Sequence, residues 1–165
     1  MLAITPHALR DSLVGRAKRA ISEVRLRGAA NGQAIPGFTK EIQIFPRDLP
    51  VPNQLDGEYF PCVVVSNGGI NQPNFDNAIP TRVVTIDFFI GVYDPDENFP
   101  GMDDAMEVAE KLYQNFMAAP SEGSCILTAP ISYKQIAGSE KNPYFYTQLT
   151  TNWLAPAMQI TSEYI

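Results

Sequence analysis

The sequence predicts an α+β fold: a mostly antiparallel sheet of four to five strands with two amphipathic helices packed on one face, in the order α-β-β-β-α-β-β. Two stretches repeat their apolar residues at intervals of three and four, which is the helical period. Other stretches alternate apolar and polar residues with the period of two that is typical of strands. The 165 residues suit one domain spanning 1–165, large enough to bury a stable core.

The first helix is predicted over residues 6–27. Thr5 is a suitable N-cap, and Pro6 suits the first helical position. Gly28 is the expected C-cap. The apolar residues that share one face of this helix are Leu9, Leu13, Ala17, Ala20, Ile21 and Val24.

The next segment is predicted to hold a loop, a short strand and an irregular stretch. Residues 28–40 are rich in glycine and alanine, which favours a loop. Residues 41–45 alternate weakly and predict a short strand. Residues 46–52 contain three prolines, so we expect them to be irregular and extended.

A more apolar strand is predicted over residues 59–66, buried on both faces. Asn67-Gly68-Gly69 follows it and indicates a turn. The loop that would then run from residue 68 to residue 80 is long for a hairpin. Loops of this length are often functional, and the alternative is a tolerated surface excursion.

The clearest strand is predicted over residues 81–94. Its apolar face comprises Val84, Ile86, Phe88, Ile90 and Val92. The opposite face carries Phe89 and Tyr93 beside Asp87. Because the side chains of a strand alternate, the first face belongs to the core. We expect the second face to be half covered by another element or by a neighbouring subunit.

The remaining elements are a helix, a turn and two strands. The helix is predicted over residues 102–119, with the acidic side chains of Asp103 and Asp104 in its first turn, where the helix dipole favours anions. Residues 120–124 indicate a turn, and strands follow over 125–135 and 144–154. A tail is expected from about residue 156.

Composition excludes several classes of function. The net charge of −6 argues against a general nucleic-acid-binding protein. The N-terminal residues lack the pattern of a secretory signal, and no run is apolar enough to span a membrane, so the cytoplasm is the default compartment. Cys62 and Cys125 lie in apolar segments and are expected to be buried, reduced thiols. A disulfide between the two is the alternative.

The motifs of catalysis and metal binding are equally missing from the sequence. His7 is the single histidine, too few for the usual zinc ligand sets or for a Ser-His or Cys-His nucleophile. Asp94, Asp96 and Asn98 resemble the start of a calcium loop, but its sixth and twelfth positions lack the required Gly and Glu. We therefore predict no catalytic residue, metal or cofactor, although a pair of carboxylates brought together by the fold cannot be read from sequence.

Charge is distributed unevenly along the chain. Residues 1–27 contain six basic and two acidic residues, whereas residues 94–110 contain seven acidic residues and no basic one. A basic and an acidic element on one subunit can bind those of neighbouring copies head to tail, and such contacts can close into a ring. The alternatives are ordinary solvated helix faces, or two helices that neutralise each other within one subunit. The candidate interface residues are Arg10, Arg16, Arg19, Asp94, Asp96, Glu97, Asp103 and Asp104.

Three stretches together resemble a known family. They are the apolar strand that begins Tyr59-Phe60-Pro61-Cys62, the long strand that ends Gly91-Val92-Tyr93-Asp94, and the acidic helix that begins Met102-Asp103-Asp104. Their order behind a basic N-terminal helix resembles the tail terminator, or tail completion, proteins of long-tailed phages and prophages, most closely over residues 59–117.

This resemblance implies a non-enzymatic assembly protein of the virion. Members of that family form a six-fold ring that caps the tail tube, stops its polymerisation and meets the head–neck connector. The expected partners are further copies of the chain, the tail tube protein and the connector protein, with synthesis in the cytoplasm of a host bacterium. The alternatives are another neck, minor tail or head–tail connector protein, or a small cytoplasmic enzyme or ligand-binding domain.

Overall fold

A computed structural model describes residues 5–30, 33–47, 59–71, 81–94, 101–136 and 144–156. Within these ranges the chain forms two helices and eight strands. The helices are α1 (Pro6–Ala20) and α2 (Gly101–Ala118). The strands are β1 (Arg25–Ala30), β2 (Gln33–Glu41), β3 (Gln43–Pro46), β4 (Cys62–Asn71), β5 (Thr81–Tyr93), β6 (Ser121–Glu122), β7 (Cys125–Ile136) and β8 (Tyr144–Pro156).

The described strands form two sheets. The larger has six strands in the order β3-β4-β5-β8-β7-β6, and only the β3–β4 pair is parallel. The smaller is the antiparallel hairpin of β1 and β2. The α+β class and the mostly antiparallel sheet are therefore confirmed. The predicted count of four to five strands and the predicted element order are too simple, because both omit this hairpin and β6.

Both helices pack against one face of the large sheet. Leu9 and Leu13 of α1 and Leu112 and Phe116 of α2 are fully buried in the same apolar core. The strand residues in that core include the whole predicted apolar face of β5, together with Leu149 and Trp153 of β8. The prediction that both helices pack on the same face of the sheet is thus confirmed. We call this side of the large sheet the helix-covered face.

The first helix is shorter than predicted. It begins at Pro6, where the Thr5 hydroxyl accepts from the Ala8 N–H at 3.1 Å, but it ends at Ala20. Residues 25–30 form β1, and Arg25 lies opposite Glu41 of β2 at 3.7 Å, so the predicted loop over 28–40 is wrong. The helical pattern extended too far because Ile21 and Val24 keep the helical spacing and contact the apolar core, although both lie beyond the end of the helix.

The turn predicted at residues 67–69 is also wrong, because these residues lie inside β4. The register of β4 against β5 shifts between Asn67 and Gly69, which marks a β-bulge. Gly69 has a φ of 143°, which favours glycine. Of the predicted 68–80 loop, residues 72–80 lie outside the described residues, as do 48–52 of the predicted irregular stretch.

The second half of the chain follows the prediction closely. The long strand, the acidic helix and the last two strands are confirmed, and the predicted turn over 120–124 includes the short strand β6. The expected tail beyond residue 156 lies outside the described residues. In the part of the chain that the structure describes, neither helix combines the length and the hydropathy needed to cross a membrane.

Candidate interface site

Arg16 of α1 binds the C-terminal end of α2. Its guanidinium donates to the Asn115 side-chain oxygen at 2.9 Å and to the carbonyls of Asn115 at 2.9 Å and Ala119 at 2.5 Å. It also donates to the Ser121 carbonyl at 3.1 Å and lies 3.4 Å from a Glu122 carboxylate oxygen. The last carbonyls of a helix lack partners within the helix and carry partial negative charge, so a buried arginine stabilises them.

The surroundings of Arg16 reinforce this position. The guanidinium carbon lies 5.1 Å from the centre of the Phe116 ring, a cation–π distance. Ser12, one turn earlier in α1, donates a hydrogen bond to the Glu122 carboxylate. The contacts that the structure gives Arg16 are therefore within its own chain. For this residue they match the alternative in which the two helices neutralise each other, and its role between subunits stays a prediction.

The other predicted arginines of α1 lie in two different settings. Arg10 is 4% exposed and donates to the Asp11 carboxylate at 3.1 and 3.2 Å. Arg19 is exposed in the last turn, where a cation favours the helix dipole. The three arginines therefore do not form one cluster on the surface.

A basic groove lies between α1 and the end of β3. It has a volume of about 430 Å³, within the range of ligand clefts. Its lining comprises Arg10, Asp11, Val14, Lys18, Pro46 and Arg47. We call it the α1–β3 groove. Sequence reasoning missed Lys18 and Arg47 as site residues, and only the basic character of the first helix could have indicated Lys18.

The predicted acidic residues are also dispersed. Asp94 is 2% exposed at the end of β5. Asp103 is exposed and Asp104 half-buried in the first turn of α2. Asp96 and Glu97 lie outside the described residues. At 1.5 Å per residue, Asp103 lies about 24 Å along the helix axis from the Ala119 carbonyl that Arg16 binds. Arg16 and Asp103 therefore do not pair within one chain.

The second face of the large sheet carries a cluster of aromatic side chains. No residue of α1 or α2 belongs to this cluster as the structure describes it. The Phe60 ring lies 5.0 Å from Tyr144 and 6.0 Å from Tyr146, centre to centre, and Tyr93 lies 5.1 Å from Tyr144. Its members are Phe60, Cys62 and Tyr93, which are buried, and Phe45, Tyr59, Tyr144 and Tyr146, which are half-buried. We call it the aromatic cluster.

Gly91 allows this cluster to form. A Cβ atom on Gly91 would lie only 2.5 Å from Cε1 of Phe60 and 3.2 Å from Cε1 of Tyr146. The Phe60 ring therefore lies directly on the backbone of β5, a position that requires glycine beneath it. In the sequence, this position is visible only as a glycine between Phe89 and Tyr93 on the second face of the strand.

The centre of the second face is polar and hydrogen-bonded. Asp87 accepts from the Thr150 hydroxyl at 2.9 Å and from the Gln148 amide at 3.3 Å. Thr85 donates to the Asn152 side-chain oxygen at 2.7 Å. Asn152 is buried and the other four side chains are half-buried, although neither helix lies over them. The face thus combines partly exposed apolar rings with satisfied polar groups, a composition typical of a protein interface.

Both thiols are free and buried, as the sequence predicts. Burial raises the pKa of Cys62 to about 12 and also raises the pKa of Cys125, so both thiols are protonated at neutral pH. A protonated, buried thiol is a poor nucleophile. Among the described residues, no three histidine, cysteine, aspartate or glutamate side chains are grouped as metal ligands would be.

One surface carboxyl has a perturbed pKa. The Tyr133 hydroxyl donates to Glu110 at 2.6 Å and Gln114 donates to it at 2.8 Å. These two bonds lower the pKa of Glu110, the tyrosine bond most. The bond also raises the pKa of Tyr133. The contact joins α2 to β7, and its chemistry is that of a structural hydrogen bond between two elements.

Comparison of the chain with models of known protein families gives no match, and a search of curated proteins finds no similar sequence.

Proposed function

We propose that the chain is a non-enzymatic virion assembly protein of the tail terminator class, which forms a ring that caps the tail tube and joins it to the head–neck connector. The observation that carries this proposal is the second face of the large sheet. Both helices pack on the opposite face, and the aromatic cluster keeps four half-buried rings here. Tyrosine and phenylalanine are enriched at protein interfaces because each buries a large, rigid surface.

Charge supports self-association over association with nucleic acid. A net charge of −6 repels a DNA backbone, which suits a channel that must pass DNA without binding it. Basic side chains lie on α1, and exposed acidic ones lie at the start of α2. Two unlike surfaces on one chain favour head-to-tail contacts, which close into a ring when the rotation between subunits permits.

Native mass spectrometry and negative-stain electron microscopy of the purified chain test this function. We expect the chain to form a closed ring with a central channel, and the ring to bind the ends of tail tubes. The family that the chain resembles forms rings of six subunits. A ring that binds the connector but not the tube would indicate another neck protein. A monomer that binds neither would contradict the proposal.

Phe89→Ser is the variant that tests the second face. Phe89 is half-buried on that face, so its loss should weaken the ring and leave the fold intact. Met117→Ser is the matched control, because Met117 is 50% exposed on α2 and lies away from the second face. Equal assembly of both variants would count against this face as the interface.

A further inference from the structure

The α1–β3 groove is lined by three cationic side chains and one carboxylate. Asp11 is bound to Arg10, which leaves Lys18 and Arg47 as the groove's remaining charges. Both are exposed, and among the described residues neither joins an ion pair. The groove therefore attracts anions. An anionic ligand there could contact both Lys18 and Arg47 without breaking an ion pair among the described residues.

The backbone conformation of Arg47 fixes where its side chain begins in the groove. Its φ is 76°, a left-handed backbone conformation that is uncommon for a residue with a side chain. The conformation is held by the Arg47 N–H, which donates to the Val65 carbonyl at 2.9 Å. Here it turns the chain at the end of β3, beside Lys18.

A complementary surface lies on α2 of the same chain. Asp103 and Glu107 are four residues apart, so they lie on one side of the helix, and both are exposed. Neither takes part in an ion pair within the described residues. We call these two residues the α2 acidic pair.

The groove and the α2 acidic pair of one chain are too far apart to meet. Lys18 follows Arg16 by two residues, and Arg16 binds the C-terminal end of α2. Asp103 lies at the other end of that helix, about 24 Å away along its axis. The α2 acidic pair therefore does not reach Lys18 of its own chain, whereas the same pair on a second copy can.

We propose that the α1–β3 groove binds the α2 acidic pair of a neighbouring copy, an inference that rests on the proposed ring-forming function and names one of its contacts. The two surfaces differ, so the contact is head to tail and repeats around a ring. Lys18 and Arg47 then pair with Asp103 and Glu107 of the next subunit. Because exposed ion pairs are screened by salt, this contact weakens as ionic strength rises.

Charge reversal tests the contact by sedimentation and native mass spectrometry. The double variant Lys18→Glu/Arg47→Glu should self-associate at least about tenfold more weakly than the wild type. The double variant Asp103→Lys/Glu107→Lys should lose association to a similar degree. Mixing the two variants should restore a mixed complex, because the reversed charges are complementary again. Lys134→Glu is the matched control, since Lys134 is exposed on β7, which does not line the groove.

The outcomes separate this inference from the proposed function. If the groove variant forms the same ring as Lys134→Glu, the groove contact is wrong and the ring stands. If the wild type forms only an open, salt-sensitive oligomer that the groove variant abolishes, the contact stands and the ring is wrong. A wild type that remains a monomer in free solution overturns the groove contact, and it overturns the proposed function as well if it binds neither the tail tube nor the connector. Circular dichroism of each variant identifies any loss of association that comes from misfolding.

Discussion

Strand β5 has two faces with very different surroundings. On the helix-covered face, Phe88 is fully buried and packs 5.2 Å from the Phe116 ring. On the second face, the next residue, Phe89, is only half-buried and lies two residues from Asp87, whose carboxylate accepts two side-chain hydrogen bonds. The same alternation thus separates a buried surface that stabilises the subunit from a partly exposed one that neither helix covers. Substitutions on the two faces should consequently have different effects.

The largest expected effect comes from the neighbouring pair Phe88 and Phe89. Phe88→Ala should lower the free energy of unfolding by about 3–5 kcal/mol, because it leaves a cavity in a dry core. Phe89→Ala should lower it much less, because its ring is already partly solvated. Urea unfolding of both variants measures the difference.

Phe88→Leu provides a second measurement if Phe88→Ala does not fold. Its cost should lie between those of the two alanine variants, since leucine fills part of the cavity. If Phe88 and Phe89 variants lose the same stability, the two faces are equally buried in solution and the comparison fails.

The second-largest effect is expected on the helix-covered side, at Arg16. Arg16→Met should lower the free energy of unfolding by about 3 kcal/mol, because it leaves Glu122 and the last α2 carbonyls without their buried cation. Arg19→Met is the control, and it should change stability by less than about 0.5 kcal/mol because Arg19 is exposed. Thermal unfolding of the two variants checks this, and equal melting temperatures would show that the Arg16 contacts add no stability.

Local periodicity explains which parts of the fold could be predicted. The pattern of β5 and that of α2 each agree with one period over more than ten residues, so both elements were found. The β1–β2 hairpin was missed because Ile21 and Val24 continue the helical spacing up to the start of β1, and because residues 28–40 are rich in glycine and alanine. Its partner β2 contains Pro36 and Gly37, which hide the alternation of a strand.

The candidate site was less predictable because it depends on contacts between distant segments. The basic character of α1 was visible, but not that Arg16 would be bound by α2, about a hundred residues later. Arg47 joins the groove because β3 pairs in parallel with β4, and a parallel pairing leaves no local signal in the sequence. The count of charged residues therefore identified α1 as basic. It did not show which basic side chains of α1 are already bound within the chain.

A smaller effect tests the close packing of the second face. Gly91→Ala should lower the free energy of unfolding by about 1–3 kcal/mol, because the new methyl group displaces the Phe60 ring. Gly15→Ala is the matched control: its Cβ would lie 3.6 Å from the nearest atom, an ordinary contact, in the middle of α1. That variant should gain about 0.5–1 kcal/mol from the helix preference of alanine. A harmless Gly91→Ala would mean that Phe60 does not rest on β5.

The smallest expected effect concerns Tyr133, at the rim of the helix-covered face. The Tyr133 hydroxyl is the main cause of the lowered pKa of Glu110, so Tyr133→Phe should raise that pKa toward its ordinary range. Gln114→Ala should raise it less, because the Gln114 bond is the weaker cause. Carboxyl chemical shifts followed through an acid titration measure both changes. Since the folded pKa of Glu110 is lowered, its ionised form favours the fold above the ordinary carboxyl pKa, and this contribution is lost as the pH falls through the lowered value. Tyr133→Phe should therefore be less stable than the wild type near neutral pH, and its stability should fall less steeply as the pH is lowered. An unchanged Glu110 titration in Tyr133→Phe would mean that this bond does not join α2 to β7.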